Sequence, residues 1–236
     1  MSGSIGKALA SAIKDPATTG QENTGRHIFQ SQHRRDIFSM LTLTPCIGTV
    51  HLARLSGIAP NTVKWHLDKL LKAGYLVKHS EGRHSFYFPE GLISHGEVML
   101  FATLNDPRTG MVYRGILGSP GTSQSSLAAE TGESRQAISR ILDRLESQGL
   151  LTAVIDGAYT RYYPTKLLPE SAENFYRHSK EFLEYIIRRV GLEGGKPPAI
   201  VKKALDRVMV EMGHAQGRFA MEIGINPFMT CNMCQF

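Results

Sequence analysis

The sequence predicts a mainly α fold with small β-hairpins, an α+β chain of two tandem units of one plan followed by C-terminal helices. Three observations predict it. Residues 52 to 77 (LARLSGIAPNTVKWHLDKLLKAGYLV) overlay residues 127 to 152 (LAAETGESRQAISRILDRLESQGLLT) without a gap. The register holds through Leu52/Leu127, Gly57/Gly132, Val63/Ile138, Leu67/Leu142, Leu70/Leu145 and Gly74/Gly149, and continues to Gly82/Gly157, Tyr87/Tyr162 and Pro89/Pro164. Each copy also carries two helical patterns and then a hairpin pattern, enough for a small domain with its own core rather than a solenoid unit.

Residues 1 to 30 are rich in Ser, Thr, Gly and Gln with few large apolar side chains, so a mobile arm is expected. From His33, the spacing of Ile37, Met40 and Leu41 predicts a first helix ending near Pro45. A second helix is expected over 49 to 56 (TVHLARLS), closed by Gly57, which suits a left-handed cap. Pro60 at a first helical position, then Val63, Leu67 and Leu70 at helical spacing, predict a third helix ending at Gly74. Two strands follow, around 75 to 77 and 85 to 88, joined by the polar SEGRH.

The second copy repeats this scheme, with early helices over 96 to 104 and 111 to 117, then helices over 123 to 130 and 134 to 148. Its hairpin turns at Asp156-Gly157 and is expected to be short. Beyond it, Phe175, Phe182, Tyr185 and Ile186 fall on one side of a helix over 169 to 190. After GLEGGKPP, a second helix is expected with a stripe of Ile200, Val201, Ala204, Leu205, Val208 and Met212. The expected division is an arm over 1 to 30, units over 31 to 92 and 93 to 166, and a C-terminal helical region with a cysteine-containing tail over 167 to 236.

Charge separates the copies. Residues 31 to 90 hold eight Lys and Arg against four acids, whereas residues 95 to 165 hold six against seven. The chain carries +6 overall, which favours an anionic partner. No apolar run of membrane length and no charged-then-apolar leader is present in the sequence, and three cysteines make no disulfide framework. A cytoplasmic location away from membranes is therefore expected.

Both copies resemble winged helix-turn-helix domains of the kind found in MarR-like and ArsR-like prokaryotic regulators and in tandem in archaeal regulators. The residues that carry the likeness are an Ala-containing helix, Gly57 or Gly132, a helix ending LDKLLKAGYLV or LDRLESQGLLT, and the hairpin. The resemblance implies a non-enzymatic regulator of transcription that binds double-stranded DNA, with the third helix of each unit in the major groove and the wings on the backbone or in the minor groove.

Helical geometry then selects the reading face. At 100° per residue, Val63, His66, Leu67 and Leu70 share the inward side. Asn61, Thr62, Lys64 and Trp65 lead toward bases, where Asn can bond adenine bidentately and Lys can reach guanine or phosphate. Lys69 and Lys72 are expected to hold phosphates, and Arg83 and His84 to lie along the backbone or in the minor groove. The corresponding set in the second copy is Ser134, Arg135, Gln136, Ser139, Arg140 and Arg144, with Arg161 on its wing. Asp68 and Asp143 are expected to pair with neighbouring basic residues, and His66 to be a packed core histidine. Winged domains also serve as protein-interaction modules, so an interaction scaffold is the alternative.

Other chemistry is sparse. Cys231-x-x-Cys234 has the spacing of half a zinc site or of a dithiol; a full structural site needs two further ligands, which Cys46 and a His could supply. Such a pair would make the regulator metal- or redox-responsive. The Gly-rich stretch over 118 to 126 lacks the Lys of a phosphate-binding loop, and no nucleophile-and-base order stands out. The C-terminal apolar helix faces call for a partner surface, which a homodimer or packing within the chain would supply. The expected partners are double-stranded DNA and the transcription machinery.

Overall fold

The computed structural model describes residues 28–194, 198–214 and 217–230. Most of the expected N-terminal arm lies outside them. The first unit contains α1 (Gln32–Leu43), α2 (Thr49–Ser56), α3 (Pro60–Lys72) and the hairpin β1 (Leu76–Glu81) and β2 (His84–Pro89). A linker helix, α4 (Val98–Leu104), precedes α5 (Pro107–Gly118), the short β3 (Thr122–Ser123), α6 (Gln124–Thr131), α7 (Arg135–Ser147), β4 (Leu151–Asp156) and β5 (Tyr159–Pro164). Every boundary from α5 to β5, β3 aside, is its counterpart from α1 to β2 moved by 75 residues.

The equivalence reaches backbone angles and pairing. Gly57 and Gly132 close α2 and α6 at φ of 68° and 72°, with open space where a Cβ would sit. Only the left-handed backbone demands glycine there. Ile47 bridges to Tyr87 in the first unit as Thr122 pairs with Tyr162 in the second. The sequence register detected from Leu52 therefore begins earlier, at α1 and α5. The two hairpins are of equal length, six residues a strand, which corrects the expectation of a short second hairpin. The polar stretch after Leu76 is mostly strand because cross-strand pairing runs out to Glu81/His84 and leaves only Gly82 and Arg83 to turn.

The cores of both units are built from the repeated apolar positions. Val63, Leu67 and Leu70 of α3 are buried, as are Ile138, Leu142 and Leu145 of α7. Each such side chain contributes roughly 1.5–3 kcal/mol by leaving water. Asn105, at the end of α4, ties the units together by donating from Nδ2 to Pro45 O at 2.6 Å.

The C-terminal region departs from the expected pair of helices. The first stretch is helical, as α8 (Leu167–Asn174) and α9 (Tyr176–Gly194). The second is a three-stranded antiparallel sheet of β6 (Ala199–Lys203), β7 (Arg207–His214) and β8 (Gly217–Gly224), followed by the single turn α10 (Pro227–Thr230). Positions 208 and 212 satisfy both a helical step of four and two strand steps of two. Val210, buried between them, decides for the strand, and Met221 and Ile223 repeat the alternation on β8.

This region packs on the first unit. Gly224 N donates to Thr42 Oγ1 at 2.8 Å, Thr230 Oγ1 donates to Leu43 O at 2.6 Å, and the Arg35 guanidinium lies 4.6 Å from the Phe219 ring centroid. Phe182, Leu183, Ile186 and Val190 of α9 are buried within the chain. The apolar helix face that called for a partner thus finds one intramolecularly.

Candidate nucleic-acid interface

α3 begins at Pro60, whose missing N–H is no loss in a first turn, and its Ala59 cap contributes no side-chain hydrogen bond. Burying Val63, His66, Leu67 and Leu70 turns Asn61, Thr62, Lys64, Trp65, Asp68, Lys69 and Lys72 outward, and all seven are exposed. Trp65, 41% exposed, projects on the same side as Asn61. Its ring meets His66 edge-on at 4.8 Å, and Lys69 Nζ stands 5.6 Å from the indole centroid. The ring is thereby supported from behind while an edge stays open to a partner.

Lys72 is differently placed. Its Nζ is 2.9 Å from Asp68 Oδ2 one turn back, so the pairing expected of Asp68 takes up the charge of a residue assigned to phosphate. Both groups are solvated, and such a pair is weak. Beside the helix, Gly82 turns the hairpin at φ 57° and presents Arg83 at the tip, with exposed His84 stacked 6.4 Å from Phe86.

In the second unit, Arg135, Gln136, Arg140 and Arg144 are exposed on α7. Two other expected residues have structural employment or reduced access. Ser134 is the N-cap, its Oγ accepting from Ala137 N at 3.2 Å, and Ser139 is half-buried. Arg161 is folded onto its own hairpin, with Nε donating to Asp156 Oδ2 at 3.1 Å and the guanidinium 5.4 Å from the Tyr159 ring.

The second hairpin holds the feature that sequence reasoning missed. Ile155 is 83% exposed and Tyr159 60%, with Val154 and Tyr163 also open to solvent. Val154, Ile155 and Tyr159 thus project where the first hairpin carries His79, Ser80 and His84, while the counterpart of Tyr163 is the buried Phe88. The run TAVIDGAYT carried part of the signal: Val154 and Tyr159 lie on one face of the hairpin and Ile155 on the other, and all three are exposed.

Cys46 belongs to the core of the first unit. It is buried at φ 63°, its N–H donates to Tyr87 O, and burial, seconded by Glu97, pushes its thiol well above the ordinary range. Cys231 and Cys234 lie outside the described residues. Among the described residues, no cluster of three or more His, Cys, Asp or Glu is placed to hold a metal ion, and no helix is long and apolar enough to cross a membrane.

No curated protein matches the chain. Among solved structures, it is similar to the DIP2311 protein from Corynebacterium diphtheriae, with 17% identity and a TM-score of 0.23 over 57% of this chain and 26% of that one. The chain thus spans about a quarter of that protein's length. It is also similar to ScpB from Mycobacterium tuberculosis, with 16% identity and a TM-score of 0.24 over 58% of this chain and 92% of that one. Residues 30–77, from the first helix into β1, match the family model described as winged helix-turn-helix DNA-binding, and the first unit carries that domain.

Proposed function

We propose that the chain is a sequence-specific regulator of transcription that binds double-stranded DNA through two tandem winged helix-turn-helix domains. The observation that supports this best is the outward face of α3. Asn61, Thr62, Lys64, Trp65 and Lys69 form one exposed donor-rich surface opposite a buried row, with the basic tip at Arg83 and His84 on the adjoining hairpin. In this reading α3 lies in the major groove and reads base edges with Asn61, Lys64 and Trp65, while Lys69, Arg83 and His84 contact phosphates or the minor groove. The second domain reads a different half-site through Arg135, Gln136, Arg140 and Arg144. Its effect is exerted by occupancy of a promoter, through competition with or recruitment of the transcription machinery, and not by turnover.

Selection from a random duplex library, followed by titration of the enriched site at two salt concentrations, tests this. Enrichment of a defined motif, with affinity falling steeply as salt rises, is the expected result. Absence of any enriched motif would defeat it.

A second reading applies to the second unit alone, and the exposed Val154, Ile155, Tyr159 and Tyr163 favour it. Aromatic and aliphatic side chains of this kind are enriched in protein interfaces. In that reading the first domain holds DNA and the second holds a protein, which is a subunit of the transcription machinery or a second copy of the chain.

A further inference from the structure

The C-terminal end of α3 is finished by a residue from far along the chain. Leu70 and Leu71 carbonyls accept from Tyr75 N and Gly74 N, at 3.0 and 2.9 Å, so the last turn closes on itself and Ala73 O points away from it. Arg189 of α9 donates to that oxygen from Nη2. Its Nη1 donates to Tyr185 OH at 2.8 Å, and its guanidinium lies 4.8 Å from the ring of Tyr75, a fully buried residue. Tyr75 in turn packs edge-on against Phe29 at 4.7 Å. Gly74 must remain glycine beneath it, being left-handed at φ 69° with Nη2 only 2.7 Å from where a Cβ would stand.

We infer that Arg189 is a positioning residue for DNA reading: by fastening the C-terminal end of α3 to α9, it sets the angle at which Asn61, Lys64 and Trp65 are presented. The inference rests on the DNA-reading function proposed above. The lever is long. From Ala73 to Asn61 a helix rises about 18 Å, so a tilt of about 3° at the anchored end displaces the reading end by about 1 Å. A bidentate hydrogen bond to a base edge does not survive a misplacement of that size, whereas contacts to phosphates through long Lys side chains do. The guanidinium also places a positive charge at the negative end of the helix, and its rigid planar fork fixes the two donor directions that a rotating ammonium leaves free. In the second unit Gly149, the counterpart of Gly74, has Leu167 Cδ2 3.8 Å from where a Cβ would stand, an apolar methyl in place of the guanidinium.

Arg189→Gln and Arg189→Lys, made in the full chain, test the inference against the duplex selected by the wild-type protein and a random duplex. The ratio of the two affinities should fall about tenfold in Arg189→Gln, the equivalent of one charge-assisted hydrogen bond. Affinity for the random duplex should stay unchanged, and Arg189→Lys should recover part of the ratio. Adding Asn61→Ala should cost less in the Arg189→Gln background than in wild type, since the Asn61 contact is already misplaced. A lowered melting temperature with an unchanged ratio, or full additivity with Asn61→Ala, would make Arg189 a stabilising residue only and overturn the inference. If Arg189→Gln does not fold, Tyr185→Phe removes the Nη1 acceptor alone and should lower the ratio in the same direction by less; an unchanged ratio there also overturns it. A wild-type protein that prefers no duplex would instead overturn the DNA reading itself.

Discussion

The two repeated units share a backbone and differ in surface. Val63, Leu67 and Leu70 are as deeply buried as Ile138, Leu142 and Leu145, and the hairpins pair in one register. Outside the cores little is kept. The first unit shows Trp65, Lys64 and Lys69 on α3 and a polar, basic hairpin, while the second shows Arg135, Arg140 and Arg144 on α7 and a hairpin of Val154, Ile155, Tyr159 and Tyr163. The lesson is that the buried positions and the glycines specify the unit, and the exposed ones are free to choose its partner. The neighbourhood differs as well, since β8 and α10 dock on α1 through Thr42 and Leu43, whose counterparts in α5 are Leu117 and Gly118.

The most drastic way to break the comparison is through the equivalent cores. Leu67→Ala and Leu142→Ala should each cost about 2–5 kcal/mol. Hydrogen exchange should show protection lost first in the unit that carries the change. Equal loss in both units would mean that they unfold as one body. Next come the reading positions: Asn61→Ala should lose about 1–3 kcal/mol of discrimination at one base pair, and Gln136→Ala at a different pair. Library selection on the two variants would locate both, and a shift at the same pair would break the assignment of separate half-sites.

Helix caps sharpen the contrast at a smaller scale. Ser134→Ala should destabilise the second unit by about 1 kcal/mol, whereas Ala59→Ser, adding a cap where the first unit has none, should stabilise. Thermal unfolding of the two variants in opposite directions is the expected result. At the Asp68–Lys72 pair, Asp68→Asn should tighten binding to any duplex by about 0.2–1 kcal/mol as Lys72 is released, and Lys72→Ala should weaken all sequences alike. Titration against random DNA would show it.

The smallest effect expected is that of pH at His51 on α2. Burial, with Arg54 adding to it and Asp106 opposing, holds its imidazole below the ordinary value of 6.5 in the folded chain. The unfolded chain therefore binds the proton more readily, and stability present above that ordinary value declines as pH falls below it. Melting temperatures compared between about pH 8 and about pH 5 should fall less in His51→Gln than in wild type.

How much of this was legible in the sequence depended on whether partners were local. The helix pairs, their closing glycines and the outward face of α3 follow from spacing alone, and Trp65 stands exposed as the 100° rotation requires. The C-terminal sheet was hidden because Val208 and Met212 fit two periodicities, and only packing reveals which one Val210 obeys. Arg189 carried no signal at all. Its acceptor is a backbone carbonyl 116 residues away, and any residue at position 73 has one. The open hairpin at Val154 and Ile155 is written in plain apolar letters, but apolar letters in a strand ordinarily signal burial, and only the packing shows that these stay exposed.

The constant spacing of the two units has a genetic consequence. Unequal crossing-over between equivalent codons would excise 75 residues and leave one uninterrupted helix, helix and hairpin unit in frame. Such contractions are not interchangeable. A junction before codon 42 replaces Thr42, Leu43 and Tyr75 by Leu117, Gly118 and Leu150, and leaves the C-terminal sheet and Arg189 facing the wrong copy. A junction after codon 75 keeps all three contacts, so any viable one-unit descendant should inherit the front half of the first copy and the hairpin of the second.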